Sequence, residues 1–312
     1  MADYTYKPYA LTLHTDAMGS AVHLPDILSK GIQVNSEMRG QLVANSPTPN
    51  HVNLVGRSPI ANMSSFALAT LLDNLGFTGL AINSATNPGI ISYWQKFNKN
   101  GFAESSNHRS YTFRKGIIVP KRLTVSHRDD ARLEFDVVPI FDGTNNAIVV
   151  SDAASLPTIS INPARWTLGP ITLGNEILTE YTQLEIDFGN TVETGSSESD
   201  IDPTHVAVRT HEPTITITGI DPQWMSSSIF AIGGTVVAQA TDAIYLRKRS
   251  GVSFVADGTA EHIKLTPNGI LSVGQAAQAE AQRIGQTTIM VKLGIDSSGN
   301  AALAVDTTSA IT

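Results

Sequence analysis

The sequence predicts a mainly-β protein, an antiparallel β-sandwich or barrel with one or two short flanking helices and long loops. Three observations predict it. From about Leu123 onward, many short stretches alternate apolar and polar residues. Close-set turn signals separate them: Asp221-Pro222, Ser250-Gly251, Asp257-Gly258, Asn268-Gly269 and Ser298-Gly299-Asn300. Helical spacing of apolar residues is confined to a few short segments.

Taken in chain order, the first 60 residues are rich in Pro, Asn, Ser and Thr and read as loops with short strands. Ser58-Pro59-Ile60-Ala61 reads as a helix entry, with Met63, Phe66, Ala67, Leu71 and Leu75 following near helical spacing and Gly76 as the stop. A weaker helix is expected from Pro88 to Phe97. Leu123–His127 and Ala131–Phe141 form a hairpin pattern around Arg128-Asp129-Asp130, with Pro139 marking a strand end or an edge. Further strands are expected at Trp166–Leu173, Gln183–Glu193, Thr204–Arg209, Thr214–Ile220 and Ala243–Lys248. Five more follow at Val252–Ala256, Glu261–Leu265, Ile270–Val273, Thr287–Gly294 and Ala301–Val305. An Ala/Gln-rich helix is expected at Gly274–Ile284. No internal repeat is visible by eye. The organisation expected is a mixed loop, helix and short-strand region over 1–115 and a sandwich core over 116–312. Whether the first region belongs to the same domain stays open.

Composition excludes several classes. The 312 residues contain no cysteine, which removes disulfides, thiolate metal sites and cysteine nucleophiles. Charged residues are only 16%, and the net charge of −7 disfavours tight binding to a phosphate backbone. The N-terminus lacks a basic stretch followed by an apolar one, and the uncharged stretch between Asp221 and Asp242 is too polar to span a bilayer. A soluble chain without a membrane role is expected. Charge is unevenly placed: residues 96–132 hold nine bases against three acids, and residues 176–221 ten acids against Arg209 alone. Such complementary segments suit head-to-tail association, although solvated loops would look the same.

Catalytic signatures are missing. No G-x-G-x-x-G or Walker loop occurs, and His211-Glu212 has no second His four residues on. His127-Arg128-Asp129 and Asp187-Phe188-Gly189 imitate kinase triplets, but Glu134 stands where a metal-binding Asn belongs. His205 and His211 near Asp200 and Asp202 are the one candidate His/Asp metal set, against the simpler reading of hydrogen-bonded surface side chains. No cofactor and no enzymatic activity are expected.

The informative segment runs from Gln183 to Asp221. In Leu184-Glu185-Ile186-Asp187-Phe188 the apolar residues share one strand face and the carboxylates the other. An acidic loop over 189–203 is expected to project. Thr214, Thr216 and Thr218 then form a hydroxyl face opposite Ile215 and Ile217.

At this segment the chain resembles the tail tube (major tail) proteins of long-tailed double-stranded DNA bacteriophages. The resemblance rests on the acidic strand ending Ile186-Asp187-Phe188-Gly189, the acidic loop, Asp202-Pro203-Thr204-His205, and the Thr/Ile strand closing on Gly219-Ile220-Asp221. It covers about 40 residues closely and 120–312 loosely. It implies a virion protein, assembled in the host cytoplasm, whose hexameric rings stack into the tube through which DNA is ejected. Its partners would be further copies of itself and the tape-measure, terminator and distal-tail proteins, and DNA would pass without specific binding. On that reading Glu185 and Asp187 face the lumen and repel phosphates. Glu193, Glu198, Asp200 and Asp202, with Arg109, Arg114 and Lys115, become the ring-stacking contacts. The same composition also fits another tail, baseplate or decoration protein. A carbohydrate-binding module is a weaker match, because Trp94, Trp166 and Trp224 lie far apart and read instead as core or interface anchors. A hydrolase on a β-scaffold is the last alternative.

Overall fold

The structure, a computed structural model, describes residues 4–14, 21–41, 48, 51–83, 89–159, 164–197, 200–220, 233–279, 286–295 and 301–312. Strands take 64% of the described residues and helix 3%, so the chain is mainly β, built from several antiparallel sheets. Its first half comprises β1 (Tyr4–Leu13), β2 (Val22–Leu24), β3 (Ile27–Gln41), β4 (His51–Ser65), α1 (Leu68–Leu75), β5 (Leu80–Asn83), β6 (Ile90–Asn98), β7 (His108–Phe113), β8 (Lys115–Ser126), β9 (Arg132–Pro139) and β10 (Val149–Ala154). Its second half opens with β11 (Arg165–Leu173), β12 (Glu176–Leu178), β13 (Tyr181–Asp187), β14 (Asn190–Gly195), β15 (His205–His211) and β16 (Thr214–Gly219). It closes with β17 (Thr235–Val237), β18 (Ala243–Ser250), β19 (Ser253–Phe254), β20 (His262–Pro267), β21 (Ile270–Ala279), β22 (Gln286–Leu293) and β23 (Leu303–Ser309).

A long central sheet runs β17-β21-β22-β16-β13-β8-β9-β4-β3. A sheet β10-β7-β6-β1-β2 belongs to the first half and a sheet β12-β11-β18-β20-β23 to the second. Alternation buries Leu123, Val125, Leu133, Phe135, Leu184, Ile186, Ile215 and Ile217 on one face of the central sheet. These meet Leu11, Leu13, Ile90, Phe113, Ile171, Ile244 and Leu265 of the two smaller sheets in one contiguous apolar core.

The two halves are copies of one topology. Reading β1, β2, β3, β4, β5, β6, β7, β8, β9 and β10 as β11, β12, β13, β16, β17, β18, β20, β21, β22 and β23 turns the first small sheet into the second, in which only the two-residue β19 is additional. The same substitution turns β8-β9-β4-β3 into β21-β22-β16-β13, and the two quartets abut in the central sheet through β13 against β8. Local details repeat as well. The backbone N–H of Lys96 donates to Nδ1 of buried His108 at 3.2 Å, and that of Lys248 donates to Nδ1 of buried His262 at 3.0 Å. Asp26 and Glu180, each just before the matching strand β3 or β13, have positive φ of 57° and 54°. β8 carries a bulge between Pro120 and Arg122, and β21 one between Val273 and Gln275. The halves share few identical residues, which is why no repeat is visible in the sequence.

Several expectations change. Residues 1–65 hold two 15-residue strands where short ones are expected over 1–60. Ser58-Pro59-Ile60-Ala61 lies within β4, and the helix starts only at Leu68, although Gly76 does end it. Pro59 is tolerated because β9 pairs only with Ala61–Ser65, so position 59 has no neighbour on that side within the sheet. Residues 90–97 form a strand, not a helix, because Ile90, Ser92 and Tyr93 to Gln95 ladder against β1. The expected helix at 274–284 is a strand through Ala279, paired with β22, and 280–284 lie outside the described residues. So do Trp224 and the turn at 298–300. Trp166 is a core residue, 6% exposed, and Trp94 packs edge-on against Tyr111. Both sides of the 115/116 division contribute strands to the central sheet.

Gly116 and Gly269 occupy matching positions, with φ of 142° and 78°. A Cβ on Gly116 would overlap the carbonyl oxygen of Val138, and one on Gly269 that of Gly294. Alanine at either position combines backbone strain with a clash against rigid backbone and should cost at least about 2 kcal/mol. Urea unfolding of Gly116→Ala and Gly269→Ala, expected to shift to similar extents, checks this.

Candidate functional site

Two surfaces stand out, the outer face of the central sheet and a projecting arm. Register sets the first. Glu185 sits between Thr216 and Thr124, and Asp187 between Thr214 and Arg122, with Met290 and Lys292 next along the rows on one side and Arg132 and Glu134 on the other. The face is therefore polar and rich in hydroxyls. Glu185 and Asp187 do share it, as alternation predicts, but bases stand beside them. Arg122 Nε lies 3.4 Å from Glu185 Oε1, Arg132 3.1 Å from Glu134, and Lys121 3.6 Å from Asp136. Asp187 accepts the backbone N–H of Gly189 at 2.9 Å. With Lys292 also present, acids and bases alternate on this face, so it is not the acidic surface expected from the two carboxylates alone. A depression of about 450 Å³ lies on it, lined among others by Asn62, Lys121, Arg122, Glu134, Asp136 and Asp187.

The arm is the hairpin of β3 and β4. β9 pairs only with Ala61–Ser65, so Val52–Ile60 and their partners in β3 continue beyond the sheet. Nine residues at strand rise project about 30 Å. Ile32 and Ala61 face the core, and alternation carries the same face outward through Val34 and Pro59, Ser36 and Arg57, Met38 and Leu54, and Gly40 and Val52. Val34 is 47%, Met38 65% and Val52 57% exposed. The opposite face carries Gln33, Asn35, Glu37 and Arg39, the last two ion-paired at 3.1 Å. Apolar side chains of this face thus reach solvent at Val34 and, beyond Ser36 and Arg57, at Met38 and Val52, while Pro59 is buried. Sequence reading missed this because Pro, Asn and Ser interrupt the alternation in this region.

The stretch 189–203 is a loop only in part. Asn190–Gly195 pairs with β15 as a separate two-stranded hairpin. Its base is tied by Asn190, which is 3% exposed. Its side-chain Nδ2 donates to the carbonyls of Phe77 and Pro120, each at 2.8 Å. Its Oδ1 stands 2.9 Å from His211 Nδ1, which must then be the protonated nitrogen. Beyond the hairpin, Arg57 N–H donates to the Ile201 carbonyl and Phe141 N–H to that of Pro203, both at 2.8 Å, bracing the root of the arm.

The expected stacking residues do not gather on one surface. Glu193 pairs with Arg209 at 2.6 Å on the exposed hairpin. Asp200 and Asp202 lie in its connection, and Glu198 lies outside the described residues. Arg109 sits on β7 of the first-half sheet, paired with Asp152 and stacked 4.4 Å over Tyr6. Arg114 joins β7 to β8, and Lys115 starts β8 opposite Asn83. The His/Asp metal set does not form either. Six strand steps place His205 and His211 about 20 Å apart at opposite ends of β15, and no cluster of three metal-ligating side chains occurs among the described residues. Among those residues no helix is long and apolar enough to cross a membrane.

Two predictions follow from the hairpin base. Asn190→Asp turns a double donor into an acceptor facing two buried carbonyls, and should cost about 3 kcal/mol in chemical denaturation. Burial holds the His211 imidazole below its ordinary value of 6.5, partly opposed by the Phe188 carbonyl. The unfolded chain therefore takes up a proton there that the folded chain refuses, and stability falls as pH drops through 6.5. The loss of melting temperature between about pH 7.5 and about pH 5.5 should be smaller in His211→Gln, whose amide still donates to Asn190.

No known protein family and no curated protein matches the chain.

Proposed function

We propose that the chain is a self-assembling structural protein, the tail tube subunit of a long-tailed bacteriophage, whose copies form stacked rings around a channel for DNA. The observation that carries this reading is the arm. It extends about 30 Å beyond the sheet, and although its own chain covers it near Arg57 and Pro59, Val34, Met38 and Val52 are largely exposed. Water disfavours such side chains, and a second copy, stacked above or below, offers repeated apolar surface to cover them. The polar sheet face supports the same reading. Its paired charges and threonine hydroxyls would line a channel without a basic patch to trap phosphates. On this reading the protein is a virion component assembled in the host cytoplasm, and its partners are its own copies and the other tail proteins.

Negative-stain electron microscopy of the concentrated protein tests this. Stacked annular particles with an open centre are expected, and compact single particles at all concentrations would refute it. The double variant Val34→Asp, Met38→Asp should keep the wild-type melting temperature, because both side chains are already exposed, yet abolish stacking in sedimentation. Glu185→Lys with Asp187→Lys should leave assembly intact and slow DNA ejection from virions. Unchanged ejection would place that face away from the channel.

A further inference from the structure

The duplicated topology carries one further step, which rests on the ring-forming reading above. In the central sheet the second-half quartet β21-β22-β16-β13 is followed by the first-half quartet β8-β9-β4-β3, and every neighbouring pair is antiparallel. The two quartets therefore run in the same sense, related by a step along the sheet and not by a twofold axis. The chain contains one complete joint between units. Gln183–Asp187 of β13 pairs with Arg122–Ser126 of β8.

Each free end of the sheet is one half of that same joint. β5 occupies only Lys115–Ile118 of β8, leaving Arg122–Ser126 for β13. In the second half β17 occupies only Ile270–Ser272 of β21, and Val273 bonds to Gly233 and Gly234. Gln275–Ala279, the match of Arg122–Ser126 after the shared bulge, has no partner on that side among the described residues. At the other end β3, the match of β13, pairs only with β4 there, and Leu28 is 48% exposed. A second sign lies on the small sheets. Val305 of β23 packs against the core, in a strand that touches α1 of the other half. Val150, at the matching place in β10, is 53% exposed.

We propose that β3 of one copy pairs antiparallel with β21 of a second copy, Ile27–Gly31 against Gln275–Gln278, so that the joint inside the chain is repeated between chains. The occupant of each open edge is thus another copy of this chain. The contact joins two different surfaces, so it propagates in one sense and forms a ring when the rotation between units closes, which also removes both open edges. Every chain supplies two units. A ring of six units, the number the resemblance implies, is closed by three chains and not six.

The register makes the test specific, because the chain has no native cysteine. Glu185 stands opposite Thr124 inside the chain, and the matching pair between copies is Leu28 with Ala277. Assembled Leu28→Cys, Ala277→Cys protein is treated with a short bis-maleimide and run on a denaturing gel, while its rings are viewed by electron microscopy. Glu185→Cys, Thr124→Cys protein serves as the internal standard and should cross-link within one chain. The expected result is cross-linked species of two and three chains with none larger, and single-cysteine variants that stay at one chain. Rings that form without the 28–277 cross-link, cross-links in either single variant, or a ladder reaching six chains would overturn this pairing and leave the tube reading standing. Closed three-chain rings that never stack would overturn the tube reading and leave the pairing. Single chains at every concentration would overturn both.

Discussion

The pairing of β8 with β13 is the constraint on which the rest of the architecture depends, because it turns two four-stranded quartets into one sheet. Five residue pairs align there, Leu184 and Ile186 facing the core beside Val125 and Leu123, with Glu185 and Arg122 meeting on the outer side. The core beneath is continuous across this joint, so neither half needs to close its own edge. Arg165 and Arg249 of the second half reinforce the joint at the sheet's end by pairing with Asp130, and Arg165 also reaches Asp26 at 2.8 Å. These pairs are partly exposed and contribute modestly. The stabilisation comes from burying the apolar faces, and the charges specify alignment.

Among the described residues, solving the edge problem inside the chain leaves it unsolved at the two ends. Soluble β-proteins blunt open edges with charges, prolines or short strands. Here β17 and β5 cover only the first residues of β21 and β8, and β3 continues as a long arm with valine and methionine facing solvent. An arm of that kind is a hazard in a protein that remains a monomer and an asset in one that assembles. The same argument bears on the polar face. Its acids and bases neutralise one another locally, so its role rests on being wet and nearly neutral, without needing a strong field.

The hairpin of β14 and β15 shows how a polar residue can organise a surface element. Asn190 satisfies two carbonyls from separate parts of the chain and fixes the tautomer of His211, which joins the hairpin to the first half. A buried amide with all its partners present specifies one arrangement, since any slip leaves several groups unpaired.

The strand-rich class was legible in the sequence, because alternation at Leu184, Ile186, Ile215 and Ile217 and the turn pairs between later strands are local signals. The face assignment of Glu185 and Asp187 was legible for the same reason, as was the absence of thiol chemistry. Helices were misread at 58–65, 90–97 and 274–279, where pairing to distant strands overrode local spacing. The repeat was invisible because only topology, bulges and a few residues such as His108 and His262 were kept, while the side chains filling equivalent places changed. The neighbours of Glu185, the bracing of the arm and the matching halves of the joint at the two sheet ends depend on residues far apart in the chain. One residue's periodicity reports its own face, but which strand lies beside it is decided only when the whole core closes.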